Sequence, residues 1–235
     1  MKKLVTLIAL MIMFGASSAF AADIFSDTFT GTALDTIKWP GGGSSNGAVT
    51  QNNELRYIAN DCNLAFSYTV TSKTLSVDSA IDAMLVSGTW AAQSLKTGDY
   101  FYITVKDGSS NRLSIGYTIG TGFGYWNGTV IPSHFVSLGS LSSVPSSMTN
   151  FSLALTATGW VYSENGTALY TNSSSPLGTV GGDSYSLTLG LKGTAANFQA
   201  MQVDNINVSV TPEPVSCALF VIGGGALALM RRRKA

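Results

Sequence analysis

The sequence predicts an all-β domain, an antiparallel β-sandwich or jelly roll, on three observations. Apolar and polar residues alternate with period two: Phe151, Leu153 and Leu155 against Ser152, Ala154 and Thr156, then Tyr185, Leu187, Leu189 and Leu191 against Ser186, Thr188 and Gly190. That period puts one face of each strand in a core. Lys106-Asp107-Gly108-Ser109 and Glu164-Asn165-Gly166-Thr167 are hairpin turns, because Asp-Gly and Asn-Gly supply the positive φ that tight turns demand. Away from its two ends the chain is rich in Ser, Thr, Gly, Asn and aromatics, poor in Lys, Glu and Arg, and carries no helical stripe. Many short strands with regular turn signals make two sheets packed face to face.

Lys2 and Lys3 precede an apolar run, Leu4 to Phe14, and a small-x-small site, Ala19-Phe20-Ala21. Residues 1–21 thus predict a signal peptide cut after Ala21. Residues 22–210 are the β-domain. Ala48 to Gln51 predicts a strand, and Val77, Ile81 and Leu85 keep one phase through Ser76 to Val86, predicting another. Gly120-Thr121-Gly122-Phe123-Gly124 reads as a loop or a glycine-rich strand, since no dinucleotide-site helix follows it. Met201 and Val203 fall out of phase with Ile206, Val208 and Val210. That predicts a β-bulge near Asp204 and Asn205, or a strand buried on both faces.

Residues 211–235 are a separate signal. Pro212-Glu213-Pro214 lacks two N–H donors and predicts an extended linker that no strand or helix absorbs. The uncharged run Val215 to Met230 would reach about 24 Å as a helix, short of a roughly 30 Å hydrocarbon core. Arg231-Arg232-Arg233-Lys234 would stay on the cytoplasmic side. These three parts, in this order, resemble the PEP-CTERM sorting signal of Gram-negative bacteria that make exopolysaccharide. The resemblance implies a membrane protease, exosortase, as partner, with processing at Pro212, Glu213 and Pro214. It also implies transient inner-membrane anchoring through Val215–Met230, then a cell-surface or extracellular location beside exopolysaccharide. An ordinary tail anchor is the other reading.

Six of the thirteen Lys and Arg (Lys2, Lys3, Arg231, Arg232, Arg233, Lys234) and one of the thirteen acids (Glu213) lie in the two ends, which leaves the body with a formal charge of −5. A mildly acidic surface argues against nucleic acid, which needs clustered cations. The body, about 190 residues, fits one domain with a sizeable core. Cys62 is its single cysteine and Cys217 lies in the tail, so the body has no internal disulfide. Cys62 reads as a small buried residue.

Three segments of the body resemble the concanavalin A-like, laminin G-like jelly rolls. They are Phe25-Ser26-Asp27-Thr28-Phe29 with Leu34-Asp35-Thr36-Ile37-Lys38-Trp39, then Gly159-Trp160-Val161-Tyr162-Ser163-Glu164-Asn165-Gly166-Thr167, then Val203-Asp204-Asn205-Ile206-Asn207-Val208. The resemblance implies adjacent chain termini and Trp39 and Trp160 in the core; no cofactor is expected to be required. It also implies a structural calcium between the first and last strands, with Asp27 and Asp204 as ligands. A turn aspartate and a bulge aspartate are the alternative.

Many of these jelly rolls are glycoside hydrolases, and the laminarinase type carries Glu-x-Asp-x-x-Glu on one strand. No such run occurs, and Glu54 and Glu164 are the body's only glutamates. Asp78 and Asp82 on one strand would lie about 13 Å apart, which fits neither retaining nor inverting carboxylate pairs. Gly43-Ser44-Ser45-Asn46-Gly47 lacks the strand-then-helix setting of a nucleophile elbow. His134 is the single histidine, so no His/Cys zinc cluster forms. The sequence therefore predicts no enzymatic activity.

The most suggestive stretch runs from Gly116 to His134. There Tyr125, Trp126 and Asn127 predict a sugar platform, with rings to stack on sugar C–H faces and an amide for hydroxyls. The competing reading places these aromatics in the core. The resulting expectation is an exported surface or matrix protein that binds glycan. A purely structural, adhesive protein and a glycan-active enzyme of another type are its rivals.

Overall fold

The computed structural model describes residues 21–212 except 46, 60–65, 78–81, 94–96, 109, 128–134, 139–144, 157, 175–182 and 194–199. The described residues form β1 (Ala22–Asp27), β2 (Gly41–Ser45), β3 (Gly47–Gln51), β4 (Leu55–Ala59), β5 (Phe66–Thr71), β6 (Leu75–Val77), β7 (Asp82–Gln93) and β8 (Tyr100–Asp107). They continue with β9 (Ser110–Thr118), β10 (Gly122–Asn127), β11 (Phe135–Ser137), β12 (Thr149–Leu155), β13 (Trp160–Glu164), β14 (Thr167–Asn172), β15 (Asp183–Gly193) and β16 (Ala200–Pro212). The first sheet runs β14-β13-β12-β7-β16-β4-β3, with β1 also on β16. The second runs β11-β10-β9-β8-β15-β5-β2, with β6 also on β15. All pairs are antiparallel. The predicted all-β sandwich is the observed fold.

Alternation sets which face is buried. Phe151, Leu153 and Leu155 of β12 and Tyr185, Leu187, Leu189 and Leu191 of β15 are all buried. Trp90 of β7 lies at the centre of the sandwich. It meets Phe101 and Tyr117 of the second sheet at 5.0 and 5.7 Å, and Phe151 and Tyr162 of the first at 4.7 and 6.2 Å. Phe123 stacks on Tyr162 across the layers at 4.2 Å. Trp39 and Trp160 are buried as expected.

The predicted turns and bulge are present. Glu164 pairs with Thr167 around Asn165 (φ 48) and Gly166 (φ 78), the left-handed pair that a two-residue hairpin needs. In β16 the register slips between Asp204 and Asn207, with Asn205 at φ 53. The slip resets the phase, so Met201, Val203, Ile206 and Val208 are all buried. At the same place β16 changes its outer partner from β4 to β1.

Two expectations are corrected. Val77 and Leu85 do not share a strand: β6 joins the second sheet and β7 the first. The phase is lost between them, so Met84 and Val86 are buried and Leu85 is exposed. Pro212 is not a free linker residue. β16 runs through it, with Thr211 opposite Ala83 and Pro212 opposite Asp82. Proline is tolerated there because a strand end needs no further N–H. Glu213, Pro214 and the Val215–Met230 run lie outside the described residues, as do the signal peptide up to residue 20, Cys62, Asp78 and His134. Among the described residues no helix is long and apolar enough to cross a membrane.

Ala22 lies opposite Val210 and Asp27 opposite Ile206, so the two ends of the domain are neighbours in one sheet. Residues 22–212 carry every described strand and the whole described core, and close on themselves as one folding unit.

Candidate functional site

The opening Asp-x-Phe and the following Trp form one corner. Asp27 Oδ1 accepts the Phe29 N–H at 2.9 Å, and Oδ2 accepts the Trp39 indole N–H at 2.6 Å. Phe29 stacks on Trp39 at 5.6 Å and Phe25 meets its edge at 5.1 Å. Asp35 Oδ1 takes the N–H groups of Ile37 and Lys38 at 2.8 and 3.2 Å, and that turn delivers Trp39. The Lys38 ammonium sits 3.5 Å from Asp27 Oδ1. At the same end of the seam, where Asp27 lies opposite Ile206, Asp204 accepts Asn205 N–H at 2.7 Å and its amide at 2.8 Å.

The calcium expectation does not fit these residues. Asp27 is already bound by two N–H donors and a cation, and Asp204 by its neighbour. Among the described residues no group of three His, Cys, Asp or Glu is placed to hold a metal, and calcium needs six to eight oxygens.

The sugar trio is divided. Tyr125 and Trp126 are adjacent on β10 and point to opposite faces, as strand neighbours must. Tyr125 faces the first sheet, 5.3 Å from Trp160 and 5.8 Å from Tyr170. Burial, then Tyr170, push its phenol pKa up. Trp126 points away from the core yet is only 1% exposed. Asn127 pairs with Leu113 at the end of β10. The three therefore do not make one platform.

Trp126 belongs instead to the outward-facing side of the second sheet, where Thr104, Ser114 and Thr188 beside it are also buried. The registers align one row across it: Gly41, Thr71, Thr188, Thr104, Ser114, Trp126 and Phe135. The next outward row is Gly43, Thr69, Gly190, Tyr102, Gly116, Gly124 and Ser137. Neither row contains an aliphatic side chain or a carboxylate. The hydroxyls form a ladder, Thr71 to Thr188 at 2.8 Å and Thr104 to Ser114 at 2.7 Å.

The glycines make room for rings. A Cβ on Gly190 would strike the Tyr102 ring at 2.1 Å, and one on Gly124 would strike Phe135 at 2.4 Å. Trp126 meets Phe135 at 4.6 Å, Tyr100 at 6.1 Å and Tyr102 at 6.3 Å. Burial, then Tyr100, push the Tyr102 phenol up to about 12. The Tyr100 hydroxyl is buried without a partner among the described residues. Glu164 lies on the other side, between the sheets, where the Tyr117 and Tyr162 hydroxyls both donate to it.

Sequence reasoning missed Tyr100 and Tyr102. The available signal was β8 itself, Tyr-Phe-Tyr-Ile-Thr-Val, which carries rings on both phases and so must face two different layers.

No family profile matches the chain, and no curated protein does. Solved structures do. A β-1,3-glucanase from Mycobacterium marinum superposes with a TM-score of 0.58 at 13% identity, covering 80% of this chain and 98% of that one. The Emp47p carbohydrate recognition domain gives 0.56 at 7% identity, covering 83% and 98%. A GlcNAcα1-4Gal-releasing endo-β-galactosidase from Clostridium perfringens gives 0.58 at 11% identity, covering 83% and 64%. The chain shares with them the two-sheet antiparallel jelly-roll fold. The expectation of a chain without enzymatic activity is corrected here. Its sandwich is shared with a glucanase and an endo-galactosidase as closely as with a recognition domain, so the jelly roll gives no ground for excluding catalysis.

Proposed function

We propose that this is an exported domain that engages a glycan along the outward face of its second sheet. The observation that carries the reading is that face. Two complete cross-strand rows hold only hydroxyl residues, glycines and aromatic rings, the two chemistries a sugar surface uses; Thr69, Thr71, Tyr102, Phe135 and Ser137 reach solvent, over a buried layer of Thr188, Thr104, Ser114 and Trp126. The superposed carbohydrate recognition domain and glucanase support the same reading through their shared fold. The tail extends it: Pro212-Glu213-Pro214, the apolar run and the Arg cluster direct the domain to the cell surface or matrix. Exosortase acts just past the end of β16, and exopolysaccharide is the first glycan partner to test.

The test is native affinity electrophoresis of residues 22–212 through gels containing the producing cell's exopolysaccharide, with reducing ends assayed in the same gel slices. Retardation or released ends, lost in Tyr102→Ala and partly kept in Tyr102→Phe, is the expected result. Unaltered mobility together with no released ends sinks the proposal. A melting curve for each variant separates lost binding from lost fold.

A further inference from the structure

A second site lies at the far end of the same sheet. Thr32 to Leu34, Trp39 and Pro40, the edge strand β2 and the inner residues Gln51 and Tyr68 line an open cleft of about 290 Å³, near the lower bound of the roughly 300–1,000 Å³ usual for small-molecule sites. It is five strands from Trp126 in the sheet order, roughly 24 Å at the usual strand spacing, so the two sites do not overlap.

Two of its lining residues carry buried oxygens with no partner among the described residues. Gln51 is 7% exposed and its Nε2 donates to Thr30 O at 2.7 Å, which leaves Oε1 as an unused acceptor. Tyr68 is 3% exposed, its ring is held by stacking on Tyr57 at 5.4 Å, and its hydroxyl is unused. Burial pushes that phenol far up, so it stays a neutral donor. Buried polar atoms are nearly always paired, and two unpaired ones beside one cavity call for a partner that the described residues do not supply.

The rest of the wall narrows what that partner is. None of the lining residues is charged, so a charged ligand would lose its hydration with nothing to replace it. Trp39 and Leu34 give an apolar side. At Gly42 a Cβ would strike Thr69 O at 2.4 Å, and φ is 147°, so the backbone there lies bare. We propose that this cavity binds one neutral sugar ring, its hydroxyls taken by Gln51 Oε1 and the Tyr68 hydroxyl and its C–H face laid on the apolar side. The choice of a sugar over another neutral ring rests on the glycan reading above; the cavity and its unpaired atoms do not.

Methyl glucoside, methyl galactoside and methyl mannoside are titrated into residues 22–212 while proton–nitrogen correlation spectra are recorded. At least one should shift the Gly41, Gly42 and Gly43 amides and the Trp39 indole saturably. Tyr68→Phe removes a single oxygen that bonds nothing among the described residues, so it should leave the melting temperature unchanged or higher and weaken binding about tenfold. Silence at Gly41 to Gly43 with all three glycosides overturns the inference, as does equal binding by Tyr68→Phe. Shifts confined to Gly116, Gly124 and Gly190 overturn it too, while leaving the outward-face reading standing.

Discussion

Asp204 shows how a single side chain records its surroundings. It sits at the β16 bulge, and burial, then the charges of Glu54 and Asp27, raise its pKa above 3.8; the Asn205 N–H opposes them only in part. A carboxyl raised in the folded state favours folding only while protonated. Its contribution is present at low pH and is lost as pH rises through the folded value. At neutral pH the ionised group therefore costs stability. Asp204→Asn keeps an oxygen for the Asn205 N–H and removes the charge. It should raise the melting temperature at neutral pH, with the gain fading to nothing toward about pH 3. A lower melting temperature at neutral pH would mean that the carboxylate's hydrogen bonds outweigh the repulsion. The same corner explains why Asp27 was a misleading calcium candidate. An acid in a first strand looks alike in sequence whether it meets a cation from solvent or Lys38 and the Trp39 indole.

At the scale of elements, glycines divide by what a side chain would meet. Gly166 has open space around it and φ 78, so Gly166→Ala pays only for the left-handed backbone, about 1–2 kcal/mol. Gly190 lies under the Tyr102 ring, which a Cβ added there would meet at 2.1 Å. Gly190→Ala must move that ring at an overpacking cost of about 1–3 kcal/mol, and it should also weaken glycan retention, which Gly166→Ala should not. Urea melts and affinity gels on the two variants check both halves of the contrast. The elements legible in sequence were those fixed locally. Asn165-Gly166 names its own turn, β12 and β15 alternate throughout, and the phase slip at Asp204 and Asn205 announces the bulge. Val77 and Leu85 were misjoined because β6 and β7 enter different sheets, and a period-two count cannot see a change of sheet. The divided sugar trio is the opposite case: alternation alone separates Tyr125 from Trp126. What sequence could not supply was the pairing order that puts Trp126, Ser114, Thr104 and Thr188 in one row, since that depends on contacts far apart in the chain.

At the scale of the whole molecule, the seam between the chain ends governs what processing can do. β16 is paired with β7 out to Pro212, and among the described residues β1 is paired with β16 alone, from Ile206 to Val210. A chain ending at Pro212 keeps all of these pairs and should melt where any longer version does. A chain ending at Asp204 loses Ile206 and Val208, which are fully buried, and leaves β1 without its partner and Phe25 without its cover. Two such deletions cost about 2–5 kcal/mol each before β1 is counted, against a total stability of roughly 5–15 kcal/mol, so the shorter chain should show no cooperative melt by near-ultraviolet circular dichroism. Cooperative melting of the shorter chain at an unchanged temperature would make the seam dispensable. The contrast bears directly on the sorting proposal. A protease that cuts beyond Pro212 releases a finished sandwich, whereas one that cuts a turn's length earlier would destroy it, and the last pairing at Pro212 and Asp82 is what marks the difference.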